Sequence, residues 1–180
     1  PARLHQQNLP EIGGVMLTQG KLKSLLSYSP ETGLFHWQSE KTNAIQPGDL
    51  AGWKDEQGYW RITIDGHDYR AHRLAWLYMH GFMPDMVDHK NRIRSDNRAS
   101  NLRQCNASQN AMNRKTQANN KSGVPGVIWN KREKKWKAFT KSNGKQICLG
   151  TYAEKDDAIR ARESHCQLAH GEFYAKPHAA

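Results

Sequence analysis

Cysteine is scarce. There are three, Cys105, Cys148 and Cys166, odd in number and far apart, with no C-x-x-C pair. This excludes a zinc site of the usual ligand spacing and a disulfide framework, and it fits a reducing cytoplasm. Long apolar runs are also missing. None reaches membrane-spanning length and no secretory signal is visible, so neither a membrane partner nor export is expected. Apolar residues make up 37% of the 180, too few for one large core. One ordinary domain or two small ones is the expectation. Six Trp and six Tyr can anchor small cores, because each buries much area. Pro1–Val15 shows no clear periodicity and precedes Met16. Residues 1–16 read as a leader or tag remnant, outside the fold.

Acidic residues are few in one half only. The formal net charge is +10. The first 112 residues hold 13 Lys/Arg against 11 Asp/Glu, whereas residues 113–180 hold 14 against 6. A local basic excess implies a polyanion, and nucleic acid is the commonest one. A solvated lysine-rich surface is the alternative.

Along the chain, Leu22, Leu25 and Leu26 fall at helical spacing within Thr18–Tyr28. Thr18 is placed to cap this helix and Ser29-Pro30 to stop it. Leu34–Trp37 reads as a short strand and Gly48–Gly52 as a loop. Tyr59–Asp65 alternates, with Trp60, Ile62 and Ile64 on one side, and Asp65-Gly66 signals a hairpin returning over His67–Ala71. Leu74–Met79 reads as a short helix stopped by Gly81. Pro84 restarts an extended segment into Val87. Arg114–Ser122 is polar and linker-like. Strands are expected at Gly126–Asn130, Lys135–Lys141 and Lys145–Tyr152, with an Asn143-Gly144 turn. A helix follows over Glu154–His170, with Gly171 as its stop. The expected class is α+β: residues 17–114, a linker at 115–122, and a β-β-β-α module at 123–175.

The residues with the most chemistry lie between. Asp88-His89-Lys90 is followed twelve residues after His89 by Asn101, and nine later by Asn110. Cutting a phosphodiester needs a base for water, a cation against phosphate charge, and a stabilised leaving oxygen. His89 suits the base, since imidazole titrates near neutrality. Asp88 and Asn110 offer hard oxygens, which suit Mg²⁺ or Mn²⁺, with positions left for water and phosphate. Neighbours on a flat strand point to opposite faces, so a bend or loop is needed for Asp88 and His89 to serve one point. Lys90–Ser100 has that loop's polar character. Any one element is common in proteins; the joint spacing carries the signal.

These residues resemble the HNH (ββα-metal) motif, in the His-Asn-Asn form of phage and intron homing endonucleases. The matching residues are Asp88-His89, Asp96-Asn97-Arg98, Asn101-Leu102-Arg103, Gln109-Asn110 and Asn113. Upstream, Thr32-Gly33-Leu34-Phe35-His36-Trp37, Gly58-Tyr59 and His72-Arg73-Leu74-Ala75-Trp76 look like the lead-in of the same phage proteins. The resemblance implies one divalent cation on Asp88 and Asn110, His89 as general base, and Asn101 fixing the loop and orienting the histidine. It also implies a 5′-phosphate and a 3′-hydroxyl product in the cytoplasm of a phage-infected host. Many relatives end the motif in His where Asn110 stands, so oxygen-only ligation is expected here. One site per chain implies nicking by a monomer, while double-strand cleavage needs a dimer or a second event. Arg73, Lys90, Arg92, Arg94 and Arg103 are candidate DNA contacts. His72 and Arg73 fit a structural helix start equally well. The remaining histidines, His5, His36, His67, His80, His165, His170 and His178, read as bystanders.

In the basic half, residues 121–145 carry eight Lys/Arg and one acid, Glu133. Alternation puts Lys135, Lys137, Phe139 and Lys141 on one face and Trp136, Ala138 and Thr140 on the other. The second face suits a helix presenting Ala158, Ala161, His165 and Ala169. The cationic face, with Lys131, Arg132 and Lys145, is apt for double-stranded DNA; a solvated edge that discourages sheet aggregation is the alternative. Gly126-Val127, Lys135-Trp136, Leu149-Gly150-Thr151-Tyr152, Ala158 and Gly171 resemble the AP2/ERF DNA-binding domain. That family's groove-reading face maps onto Ile128, Asn130, Lys135, Phe139, Lys141, Gln146 and Cys148. Plant members hold Arg and Trp at several of these positions, so their base preference does not carry over. The expected function is a metal-dependent, site-preferring nicking endonuclease. The alternatives are an AP2-type DNA-binding regulator with a degenerate nuclease fold, and an RNA-binding or RNA-processing protein.

Overall fold

Thr18 has extended backbone and its hydroxyl accepts from Lys21 N, which starts helix α1 (Gln19–Leu25). The helix ends three residues before the expected Tyr28. Leu26–Tyr28 instead forms strand β1, paired antiparallel with β2 (Phe35–Trp37) in the register Leu26↔Trp37. The leucine spacing continues helically through Leu26. Burying both Leu26 and Tyr28 requires the two-residue period of a strand. The computed structural model describes residues 17–40, 44–113, 120–142 and 145–174. The expected leader, most of the expected linker and the Asn143-Gly144 turn lie outside the described residues.

The central hairpin forms where alternation placed it. Strand β4 (Trp60–Ile64) pairs with β5 (His67–Arg70), and β3 (Trp53–Lys54) adds a short third strand that the loop-like sequence does not announce. Asp65 and Gly66 both take positive φ, 50° and 77°, as a two-residue turn matched to strand twist requires. Ile62 and Ile64 point inward. Helix α2 (Ala71–His80) buries Leu74, Ala75 and Leu77, and Gly81 closes it in the left-handed conformation. These side chains join Leu22, Leu26 and Phe35 in one apolar core. Strand β6 (Val87–His89) then pairs with β7 (Leu102–Gln104). The intervening loop is pressed against the β1–β2 turn. Gly33 has φ 76°, and a Cβ there would stand 2.4 Å from Arg98 N and 2.5 Å from the Asn97 carbonyl carbon.

The chain divides into two units, Pro1–Cys105 and Asn106–Ala180. Helix α3 (Ala107–Met112), placed with the first domain by the 114/115 boundary, groups with the second unit, where it meets the turn Gly171–Phe173. The rest of that unit is a three-stranded antiparallel sheet, order β10-β9-β8, made of β8 (Val127–Asn130), β9 (Lys135–Ser142) and β10 (Lys145–Tyr152). Helix α4 (Lys155–His170) packs on it. The stripe that α4 buries is Ala158, Arg162 and Cys166, spaced four apart. It is not the expected Ala158, Ala161, His165 and Ala169, of which only Ala158 is buried and Ala169 is exposed. No helix among the described residues is long and apolar enough to cross a membrane.

Candidate active site

The β6–β7 ladder positions the first pair. Its register sets Asp88 opposite Arg103 and His89 opposite Leu102. Asp88 Oδ2 accepts from Arg103 Nη2 at 2.8 Å and from Nε at 3.1 Å, with both side chains buried. The cross-strand pair therefore keeps each charge matched where water is scarce. Arg103 serves a carboxylate here, a different role from the expected phosphate contact.

His89 lies on the other side of the strand's alternation and is also buried. Its Nε2 is 3.1 Å from Asn97 Oδ1. An amide oxygen only accepts, so Nε2–H donates and Nδ1 becomes the basic nitrogen. Burial lowers the His89 pKa from the usual histidine range, opposed by the Asn97 bond and the nearby carboxylates of Asp88 and Asp96. The imidazole is thus held neutral, the form a base requires.

Asn97 does the touching expected of Asn101. Its side chain is fully buried, and its carbonyl accepts from Tyr28 Oη at 2.7 Å. Asn101 braces the loop, which is the other half of its expected role. Its Nδ2 donates to the Asp96 carbonyl at 2.7 Å and to Asn91 Oδ1 at 3.0 Å, and its Oδ1 accepts from Asn91 N. Asp96 is clamped by Arg98, whose hydrogen bonds bring its carboxyl down to about 2.

A second buried histidine, His72 at the start of α2, meets His89 edge to face with centroids 4.8 Å apart. Its Nδ1 is buried with no hydrogen-bond partner among the described residues. Burial, with the positive neighbours, pushes its pKa down to about 3. Tyr59 completes the cluster, 5.5 Å from His72 and 6.3 Å from His89 between ring centroids. In the sequence Asn97 stood only inside the Asp96-Asn97-Arg98 match, Tyr59 in the Gly58-Tyr59 match and at the head of the alternating strand, and His72 as half of an ambiguous pair.

Arg73 is tied structurally. Its Nη1 donates to the Asp85 carbonyl at 3.0 Å and its Nε faces Met83 Sδ at 3.3 Å. Lys90 Nζ donates to the Ser100 carbonyl, Arg92 takes a left-handed φ of 63°, and Arg94 is exposed. Asn110 sits half-buried on α3, in the second unit. That helix is started by a capping box between Asn106 and Gln109.

In the second unit, Val127 pairs with Ala138 on the face that α4 covers. Ile128, opposite Lys137, then faces away from α4, as do Phe139 opposite Cys148 and Lys141 opposite Gln146. Ile128, Lys135, Lys141, Lys145, Gln146 and Cys148 are exposed, as are Lys131 and Arg132 beyond β8, while Lys137 and Phe139 are half-buried.

Among the described residues, no group of three or more His, Cys, Asp or Glu could hold a metal ion. A cation here would need few protein ligands, with Asn oxygens among them. Carboxylate and amide oxygens are hard donors, so the donor chemistry fits a hard cation.

Residues 69–112 match the family model described as HNH endonuclease, less than half of the chain. The match runs from β5 through the Asp88-His89 strand to α3. A solved structure described as DNA binding and cleavage by the HNH homing endonuclease I-HmuI is similar at 24% identity, with a TM-score of 0.38. The alignment covers 49% of this chain and 50% of that one, so the chain spans half the length of that structure. No curated protein matches the chain.

Proposed function

We propose that this chain is a metal-dependent DNA endonuclease that nicks duplex DNA, with His89 activating the attacking water. One observation supports it above the others. A buried, neutral imidazole with its basic nitrogen set by Asn97 follows a buried carboxylate along one strand, inside the segment that matches the HNH endonuclease model. His89 Nδ1 takes the water proton as its oxygen attacks phosphorus in line, the bond from phosphorus to the 3′-oxygen breaks and that oxygen takes a proton from solvent, and Asn97 holds the ring as charge develops on it. Asn101 keeps the loop that carries Asn97 in place. By the motif's spacing, Asp88 and Asn110 would hold one Mg²⁺ or Mn²⁺, which when bound supplies charge neutralisation on the phosphate and the leaving oxygen.

The β8–β10 sheet is the tether, an AP2-like reader of duplex DNA. Lys135, Lys137 and Lys141 supply phosphate contacts on the face away from α4, with Lys131, Arg132 and Lys145 beside them. The mapped residues include Ile128, Gln146 and Cys148, which cannot clamp guanine as arginine does, so the face orients more than it specifies. A homing-type role and monomeric action belong to the same reading.

The buried Asp88–Arg103 pair favours one rival: a DNA-binding protein whose nuclease fold is silent because its carboxylate is committed to arginine. Supercoiled plasmid decides between them. The nuclease reading expects nicked circles with Mg²⁺ or Mn²⁺ and none with chelator. Retardation of DNA without nicking under any divalent metal supports the rival.

A further inference from the structure

Positive charge without a carboxylate partner converges on Tyr59. The guanidinium carbon of Arg70 lies over its ring, 4.4 Å from the centroid, and that of Arg94 lies 5.0 Å away. Arg70 ends β5, and Arg94 belongs to the loop between β6 and β7, where its Nη1 donates to the Gln57 carbonyl at 2.9 Å. Two segments far apart in sequence thus bring guanidiniums to one ring. Arg61, Arg98, Arg103 and Arg160 each form a salt bridge, but among the described residues Arg70 and Arg94 form none. A tyrosine face attracts each cation but offers the guanidinium forks no anionic oxygen. A phosphate held by both would. The same ring stands 6.3 Å from His89 and 5.5 Å from His72, so the anion would lie beside the proposed base.

We infer that Arg70 and Arg94, held on Tyr59, form a two-guanidinium clamp for the DNA backbone phosphate at the cut. The guanidinium fork matches phosphate oxygens bidentately, which a lysine point charge does not. The clamp rests on the nuclease reading of Asp88 and His89 and adds Arg70 and Tyr59 to it. Arg70 fixes the phosphodiester beside the imidazole, and Arg94 closes on it from the loop that also carries Asn97. Tyr59 positions both without contacting the substrate.

Two measurements on the full chain test the clamp separately from the nuclease reading. One is binding of a fluorescein-labelled duplex in EDTA, followed by anisotropy from about 50 to 200 mM salt. The other is plasmid nicking in Mn²⁺. Arg70→Ala and Arg94→Ala are each expected to make the slope of log affinity against log salt shallower by about 1, and to lower kcat for nicking by about 100-fold. Arg160→Ala removes the same charge from an exposed position on α4 and is expected to change neither. Arg70→Lys should keep the salt slope yet recover only part of kcat. Should Arg70→Ala fail to fold, Arg94→Ala, on an exposed side chain, carries the test. Wild-type nicking with both alanine variants matching Arg160→Ala overturns the clamp and leaves the nuclease reading standing. A shallower slope with unchanged kcat puts the pair on a remote phosphate and also overturns it. Shallower slopes in a protein that never nicks support the phosphate site and sink the nuclease reading instead.

Discussion

Among the described residues of Pro1–Cys105 the buried polar side chains are His72, Asp88, His89, Asn97, Asn101 and Arg103, and all but His72 fall within sixteen consecutive residues. In Asn106–Ala180 the packed core is small, Val127, Ala138 and Ala158 with a few half-buried neighbours. There Asn113, Ser122, Thr140 and Arg162 are buried at scattered positions, and most of the charge lies on an exposed sheet face. Burying polar groups costs free energy unless each is paired, so the first unit's network has to be geometrically exact to persist. Surface lysines cost almost nothing and tolerate substitution. Chemistry is therefore built where burial fixes orientation, and nonspecific grip where it does not. Substitutions in the first unit are expected to alter rate and stability together, and those on the sheet face to alter affinity alone.

The largest effect is expected at the buried ion pair. Asp88→Ala leaves Arg103 charged and uncompensated, and should cost about 3–5 kcal/mol of stability in urea unfolding. Asp88→Ala combined with Arg103→Met should regain most of that stability without regaining nicking. An unchanged denaturation midpoint in the single variant would break the contrast between the units. Next is Gly33→Ala, which forces a side chain into left-handed backbone against the Asn97-Arg98 peptide. It should cost about 1–3 kcal/mol, and slow nicking by shifting the partner of His89. Stability and nicking at the wild-type level would show that the loop yields easily.

On the sheet face, Lys135→Gln, Lys137→Gln and Lys141→Gln together should make the salt dependence of DNA binding shallower by up to about 3. Stability should stay within about 0.5 kcal/mol, and kcat at saturating DNA should not change. A lower kcat would show that the sheet does more than grip. A further effect concerns pH and accumulates over several units. His72 has a pKa of about 3 in the folded chain, against the ordinary 6.5 unfolded. Below about pH 6.5 the unfolded chain therefore binds a proton that the folded one refuses. Stability should decline as pH falls, by at most about 1.4 kcal/mol per pH unit, down to about pH 3. Asp96, held down to about 2, adds loss of the same sign below the usual carboxylate range. Urea unfolding at stepped pH checks this, and His72→Gln should flatten the decline.

Elements fixed by local pattern were legible in the sequence. The β4–β5 hairpin followed from Ile62 and Ile64 alternating up to Asp65-Gly66, α2 from its leucines and Gly81, and the β-β-β-α order from strand alternation and the Gly171 stop. What depended on pairing across the chain was not. Leu26 fits a helix until its partner Trp37 is known. The register that sets Asp88 against Arg103 spans fifteen residues, and alternation within either strand says nothing of it. At the site, the spacing singled out Asp88, His89, Asn101 and Asn110. The resemblance assigned the histidine's support to Asn101, whereas the bond comes from Asn97, because a polar loop of this length can turn any of several asparagines inward. His72 looked like a helix start and is one. Its contact with His89 arises only when α2 packs beside β6.

The central claim is that His89 is the base. Single-turnover nicking of plasmid in Mn²⁺, measured from about pH 5 to 8 for wild type and His89→Ala, tests it most directly. Because burial lowers the His89 pKa, wild type should hold its rate across neutral pH and lose it only on the acid side. His89→Ala should be slower by about 10²–10⁴-fold and should lack that acid limb. Equal rates and equal pH profiles for the two proteins would contradict the account.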